Sequence, residues 1–405
     1  MSVLVARQPI LDRERRVFAY ELLMRPIDAV EGVSSYESQT AGPAIADLIR
    51  TIGFETLTNG KPAFIDLDAS QHLDEHVLPG PRRIVVEVPG VLEADPRVID
   101  ACRELRDAGY AVALEDFVMS ESGRKLLEVA DFAKMDFLST PSHQAEACLA
   151  VAKSHDAALI ATRVEATEVF DEAIREGFTH VQGYFFEQPK RQPGGILKPN
   201  QMIALRLLRA LGDPDLGVAK LEDLVKRDAA LSHRVLRMAN SAALAQAREV
   251  TSIGHALMLV GRDTVRRWAS YLAMADLSAG AHRELLLMAV VRARFCELLA
   301  RARDGEDAGG GGFLVGLCSL LDVMLDRPMA SVLEELSLAP DIVSALVGHD
   351  NPWRQLLDSV IAYERADWET CLPLARQAGL SRDSLPKAYL EALRWGQELR
   401  APVAA

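Results

Sequence analysis

Cysteine is scarce in this 405-residue chain: Cys102, Cys148, Cys296, Cys318 and Cys371 stand singly, with no Cys-x-x-Cys pair. An odd number of dispersed thiols argues against a disulfide framework or a zinc knuckle and fits reduced, buried side chains in a cytoplasmic protein. Long apolar runs are lacking as well. No stretch reaches the roughly 18 uninterrupted apolar residues of a membrane span. The nearest, 313–325, carries Ser319 and Asp322 and reads as a buried helix. The opening MSVLVARQPILDRERR has neither the basic start nor the apolar run of a signal peptide, so no export signal is expected. Positive charge is in deficit: 45 Lys and Arg against 58 Asp and Glu leave a net charge of −13. Nucleic acid and anionic membranes, which need a positive field, are poor general partners for such a chain.

What is present is an ordinary globular balance, 49% hydrophobic and 25% charged, long enough for two or three domains with cores of their own. In the first half, short apolar or β-branched runs at 17–22, 63–67, 84–88, 111–114, 132–135, 158–164 and 180–182 alternate with amphipathic stretches at 41–52, 96–107, 122–130, 143–154 and 167–176. That is the pattern of βα units around a parallel sheet. Seven strands, with an eighth near 184–186, predict a TIM-like (β/α)8 barrel, compact at 190 residues where about 250 is usual. A Pro- and Gly-rich break, PKRQPGGILKPN at 189–200, follows. Beyond it every periodic segment reads as helix, the last at 385–400. The expected division is a barrel at 1–190, a linker at 191–200 and an all-α domain at 201–400. The glycine run 309–312 reads as a flexible loop, since no Gly-Lys-Ser/Thr follows it.

Charged residues recur at the carboxyl ends of the predicted strands: Glu21, Asp66, Glu87, Glu115 with Asp116, Lys134 and Glu165. One such charge is usually a solvated loop residue, but six successive strands ending alike point to convergence on the face where barrel active sites sit. Carboxylates crowded on one face raise one another's pKa unless a counter-charge is present. Hard divalent cations on oxygen ligands supply that charge, and a pair of them about 3.5 to 4 Å apart suits phosphodiester cleavage.

These residues also resemble a family. AYELLMRP at 19–26 is similar to the Glu-Ala-Leu-x-Arg signature of EAL domains, the bacterial barrels that hydrolyse cyclic di-GMP, with Leu22 in place of Ala. FIDLD (64–68), VVEVP (85–89), LEDFV (114–118), AKMD (133–136), ATRVE (161–165) and VQGYFFEQP (181–189) continue the likeness in order. The opening ARQPILD at 6–12 resembles the subgroup that joins an EAL domain to an HDOD domain. The resemblance implies metal ligands at Glu21, Glu87 and Asp116, with Asp66 at an Asn position and Glu115 at an Asp position. It implies a lysine near the attacking water at Lys134, ligand contacts at Leu23, Arg25 and Gln182, and loop support from Glu165. Two departures bear on turnover. Thr162 stands where the Ala-Glu-Gly-Val-Glu motif has its first glutamate, and a hydroxyl near neutral pH serves poorly as ligand or base. The Asp-Phe-Gly-x-Gly loop has become Asp116-Phe117-Val118-Met119-Ser120, without its glycines.

In the second half, LEDLVKRDAALSHRVLRMANSA (221–242), TSIGHALMLVG (251–261), FLVGLCSLLDVMLDRPM (313–329) and AYERADWE (362–369) resemble HDOD domains, all-helical relatives of HD-type phosphohydrolases. Gly316-Leu317-Cys318-Ser319 replaces the His-Asp pair of a true HD enzyme, so no metal centre is expected there. His349-Asp350 reads as a coincidence in a turn, His233 and His255 as structural histidines, and Asn240-Ser241 as a helix cap. Between 196 and 270, twelve Lys or Arg face seven Asp or Glu. With the helix, turn and helix at 222–240 this is a weak signal for DNA, and a solvated face or a dock for an acidic protein is preferred.

The combined expectation is a cytoplasmic bacterial signalling regulator or scaffold that works through protein–protein interaction. Its degenerate phosphodiesterase barrel either senses cyclic di-GMP or has lost that ability. The alternative is an active phosphodiesterase dependent on Mg²⁺ or Mn²⁺. Any nucleotide binding should be strongly divalent-dependent, because the acidic cluster repels a dianion. Since many EAL barrels dimerise, the resemblance also implies a homodimer.

Overall fold

The computed structural model describes residues 3–27, 48–66, 81–90, 95–187, 199–211, 213, 216–240, 249–278, 283–336 and 338–404. Eight strands close into a barrel in sequence order. They are β1 (Val3–Asp12), β2 (Val17–Pro26), β3 (Ala63–Asp66), β4 (Ile84–Pro89), β5 (Ala111–Glu115), β6 (Phe132–Asp136), β7 (Ala158–Thr162) and β8 (His180–Gln182).

Seven of these are the expected runs, and the eighth is not where it was expected. Residues Phe185–Glu187 form a single 3-10 turn that buries Phe185 and Phe186. The closing strand is β1, which runs antiparallel to both β2 and β8, while the other neighbours pair in parallel. The expectation of an all-parallel barrel is therefore corrected at β1. The cause is local: the Asp12 carboxylate accepts from the backbone N–H of Glu14 and of Arg16, and Arg15 takes a left-handed φ of 59°. A turn this tight can join only antiparallel neighbours, whereas parallel strands need a crossover.

Period-two alternation sends Ile10, Ala19, Phe64, Val85, Ala113 and Ile160 inward as one buried layer, with Phe132 packed against it. The β1–β2 register shifts between Ile10 and Leu11, and Phe18 at that bulge stacks its ring against His180 at 4.2 Å and Phe132 at 5.8 Å. Burial of His180 lowers its pKa to about 4 from 6.5, with Asp12 opposing and Arg13 assisting. A histidine depressed in the fold contributes stability that is present above about 6.5 and lost as pH falls through about 4. The thermal midpoint should therefore fall as pH is lowered across that window, and His180→Phe should flatten the slope. An unchanged slope would place the acid sensitivity elsewhere.

The helices around the barrel start where the sequence offers caps. Asp95 accepts from Arg97 N–H to open Pro96–Asp107, and Ser120 accepts from Gly123 N–H to open Glu121–Leu127. Thr167–Glu176 ends on Gly177 at φ 113°. The compact unit built on the barrel also takes in Ile361–Pro373 and Ser381–Leu390, which the sequence reading places in the helical domain. Fully buried Tyr363 accepts a 3.3 Å hydrogen bond from Val5 N–H, Tyr184 Oη donates to the Glu364 carbonyl at 2.9 Å, and Arg365 pairs with Glu187 at 2.9 Å. These contacts tie the late segment to β1 and to the end of the barrel.

The second unit, Pro189–Val360 with Leu374–Leu380 and Glu391–Ala405, is helical throughout its described residues. One of its cores gathers Leu221, Val235, Ala256, Val265, Ala269 and Leu272. The glycine run is not a loop: Gly309–Cys318 is a helix, and the expected single helix 313–325 is two, the second being Leu321–Leu325. Close packing explains Gly312 and Gly316. A Cβ on Gly312 would meet the Cys296 carbonyl at 2.6 Å, and one on Gly316 the Arg292 carbonyl at 2.5 Å, both on the long helix Arg283–Asp304.

All five cysteines are buried and free, with Cys318 and Cys371 pushed by burial up to about 12. His233 is exposed, which corrects its reading as a structural histidine; His255 is half-buried. Asn240 caps its helix and also exchanges two 2.8 Å hydrogen bonds with the backbone of Val250; Ser241 lies outside the described residues. Several basic groups of the 196–270 stretch are paired internally: Lys226 with Glu222, Arg227 with Asp223 and Arg234 with Asp276. No helix among the described residues is long and apolar enough to cross a membrane.

Candidate functional site

The same alternation that fills the barrel places the site. Two residues beyond each position of the apolar layer, or two before it on antiparallel β1, stand Gln8, Glu21, Asp66, Glu87, Glu115, Lys134 and Thr162, and on β8 Gln182 stands two beyond His180. Each strand contributes one polar side chain, and the eight form a ring above a dry layer. A cavity of about 170 Å³ opens on this ring, lined by Gln8, Glu21, Glu115, Lys134, Thr162 and Gln182 and, one residue past the strands, by Asp116 and Arg163.

The centre of the ring is a buried ionic knot. Lys134 Nζ donates to Glu21 Oε2 at 2.8 Å and to Glu87 Oε1 at 2.7 Å, and all three side chains are at least 94% buried. Gln182 Nε2 donates to Gln8 Oε1 at 2.8 Å and also to Glu21 Oε2. Burial first, and then Glu21, push the Glu87 carboxyl up to about 8 against the pull of Lys134. Burial acts to lower the Lys134 pKa, but Glu87 and Glu21 overcome it and the net shift is upward. The ammonium therefore stays charged, and the Glu87 carboxyl holds its proton at neutral pH. Burial also raises Glu115, with Lys134 opposing.

At the mouth, Asp116 and Arg163 both take left-handed φ values, 47° and 59°, uncommon for side chains other than Asn, Asp and Gly. Arg163 Nη1 donates to Asp136 Oδ2 at 3.0 Å, and Nη2 lies 3.8 Å from Asp116 Oδ1. Asp136 is braced by Ser139 through its N–H at 3.1 Å and its Oγ at 2.9 Å. Its pKa, which burial alone would raise, is lowered by Ser139 and Arg163.

The structure places Glu21, Glu87, Glu115, Asp116, Lys134, Thr162 and Gln182 at one end of the barrel. Asp66 holds its ring position but is exposed. Leu23 and Arg25 continue β2 beyond Glu21 without lining the cavity, and Arg25 lies 3.9 Å from Glu369. Glu165 is exposed and also outside the lining. Two lining residues escaped the sequence reading. Gln8 lies on the strand that was missed. Arg163 stands at the glycine of the Ala-Glu-Gly-Val-Glu motif, and that replacement was the available signal.

Carboxylate oxygens suit Mg²⁺ or Mn²⁺ in kind. In placement they do not: among the described residues no three His, Cys, Asp or Glu side chains are gathered to hold an ion. Glu21 and Glu87 close on an ammonium, Asp116 faces a guanidinium, and the buried Gln182 Oε1, which finds no hydrogen-bond partner among the described residues, is a single neutral donor. The side chains as arranged do not fit a divalent ion.

Comparison with known proteins gives matches over nearly the whole chain. The family model described as EAL domain matches residues 3–189, and that described as HDOD domain matches 197–334. YuxH of Bacillus subtilis, an uncharacterized protein, is 32% identical over 98% of this chain and 99% of its own. The cyclic di-GMP phosphodiesterase CdgJ of Vibrio cholerae is 30% identical over 98% of this chain and 92% of its own. Among solved structures, the PaMucR phosphodiesterase in complex with c-di-GMP is 16% identical, with a TM-score of 0.39, over 46% of this chain and 95% of that one.

Proposed function

The chain belongs to the family of proteins that join an EAL domain to an HDOD domain, and from that premise we propose that it is a regulator in cyclic di-GMP signalling whose barrel binds without turning over. One observation carries the reading: the two carboxyl groups at the centre of the ring are spent on Lys134, while Thr162 presents a hydroxyl where a carboxylate would be needed. A hydrolytic mechanism requires a water made nucleophilic and oriented in line with the phosphorus. Lys134, donating to two glutamates, is an acid partner and not a base. The neutral groups Gln8, Gln182 and Thr162 can orient a ligand by hydrogen bonds without reacting with it. The output then lies in protein–protein contacts with other signalling proteins, made by both domains.

The full-length protein incubated with cyclic di-GMP and Mn²⁺ should yield linear dinucleotide at no more than roughly a thousandth of the rate of an active enzyme, and Glu21→Ala should not change that background. Turnover that Glu21→Ala abolishes would sink the reading. It would establish instead the second one, hydrolysis, which the name of the relative CdgJ favours.

A further inference from the structure

The residue that neither the family motif nor the ring accounts for is Arg163. It follows directly on Thr162, lines the cavity, and holds a left-handed φ of 59° that a glycine would adopt freely. An arginine held in that conformation, where the motif has glycine, calls for a compensating interaction. The compensation is electrostatic. The guanidinium fork spans two aspartates, anchored on Asp136 at 3.0 Å and facing Asp116 at 3.8 Å. Asp136 is itself held by Ser139, so the fork has a fixed base and one arm over the mouth of the cavity. Asp116 is the outermost acid of the lining and stands where the resemblance implies a metal ligand.

We propose that Arg163 is the resident cation of this site: its guanidinium takes the place of a divalent ion beside Asp116, so that the cavity receives a phosphodiester anion without metal. The ligand class rests on the function proposed above; the displacement of the ion does not. A positive charge 3.8 Å from the Asp116 oxygen, in a pair about two-thirds exposed, opposes a second cation approaching the same carboxylate and, with Lys134 below it, sets two basic groups against Glu21, Glu115 and Asp116 in the lining. The fork can also offer parallel N–H donors to a phosphate, a geometry suited to bidentate recognition. Divalent-dependent nucleotide binding, the expectation from the acidic residues alone, is thereby replaced by its opposite.

The test is calorimetric titration of the full chain with Mn²⁺ alone. Arg163→Gly and Arg163→Gln should each bind Mn²⁺ at least roughly tenfold more tightly than the unaltered chain, while Arg163→Lys, which keeps the charge, should not. Equal affinities in all four proteins would overturn the proposal. A gain confined to Arg163→Gly would trace the effect to relief of the backbone and overturn it equally. A second titration uses cyclic di-GMP in the presence of EDTA. The unaltered chain should bind, Arg163→Gln should weaken at least roughly tenfold, and Mn²⁺ should restore it. Binding by the unaltered chain only when Mn²⁺ is present would refute the proposal. Absence of nucleotide binding under every condition would instead remove the sensing function, and the Mn²⁺ series would still decide the role of Arg163.

Discussion

Lys134→Met should lower the thermal midpoint of the barrel by roughly 6 to 12 °C at pH 7 and by far less at pH 5. The substitution keeps the length of the side chain and removes the ammonium that Glu21 and Glu87 share at 2.8 and 2.7 Å. Two buried carboxyls would remain with no cation. Glu87, already pushed up to about 8, holds a proton at neutral pH, so the variant must protonate a second carboxyl or leave a bare charge in the interior. Taking up that proton at pH 7 from an ordinary value near 4.5 costs about 3 kcal/mol, within the range found for breaking a buried pair from one side. The sign follows from linkage. A carboxyl whose folded pKa lies above 4.5 contributes stability that is full below 4.5 and lost as pH rises through the folded value. At pH 5 the added cost falls below about 1 kcal/mol. Denaturation of the single variant across pH, followed by circular dichroism, measures this. Lys134→Met combined with Glu21→Gln removes the second carboxyl and should recover most of the loss at pH 7. A pH-independent loss that Glu21→Gln leaves in place would mean that packing of the lysine stem, and not its charge, holds the ring.

The ring shows what could be read ahead of the structure. On a strand, alternation is visible in the sequence, so Glu21, Glu87, Glu115 and Lys134 could be assigned to one face from their places at strand ends, while Gln182 came from the family resemblance. Parity says which face but not what partners whom. The sharing of one ammonium by Glu21 and Glu87 depends on β2, β4 and β6 facing one another across a closed barrel, and no local pattern encodes that. β1 was missed because Arg7, Gln8 and Pro9 interrupt its apolar pattern, and with it went Gln8. The glycine run 309–312 was misread for the opposite reason. Glycine breaks isolated helices, yet here Gly312, with Gly316 one turn beyond the run, permits a helix to approach the Cys296 and Arg292 carbonyls more closely than any side chain allows. Tertiary packing decided both cases, and in both the local signal pointed the other way.

Gly183→Ala should be the most damaging single methyl in the barrel. Gly183 directly follows Gln182, has φ 154°, and a Cβ there would lie 1.9 Å from the Val164 carbonyl oxygen and 2.6 Å from the Val164 carbon and nitrogen. All three are backbone atoms, so no rotamer change relieves the clash. Val164 N–H already donates to the Gln182 carbonyl at 3.1 Å, which binds the ends of β7 and β8 together at this point. The methyl must push those ends apart, costing about 3 to 5 kcal/mol as overpacking and backbone strain add. The displaced segment carries Thr162 and Arg163 on one side and Gln182 on the other, so ligand binding should fail along with stability. Gly177→Ala provides the control. Its φ of 113° is equally unfavourable for alanine, but the new Cβ would meet only the Leu149 methyl groups at 3.6 and 3.8 Å, an ordinary contact. That variant should lose about 1 kcal/mol and keep its ligand, since strain alone operates there. Thermal midpoints and cyclic di-GMP titrations of the two variants side by side separate clash from strain. Equal losses in both would mean that the close approach of Gly183 to Val164 contributes nothing, and that the mouth of the barrel is free to widen where the contact between β7 and β8 requires it to be fixed.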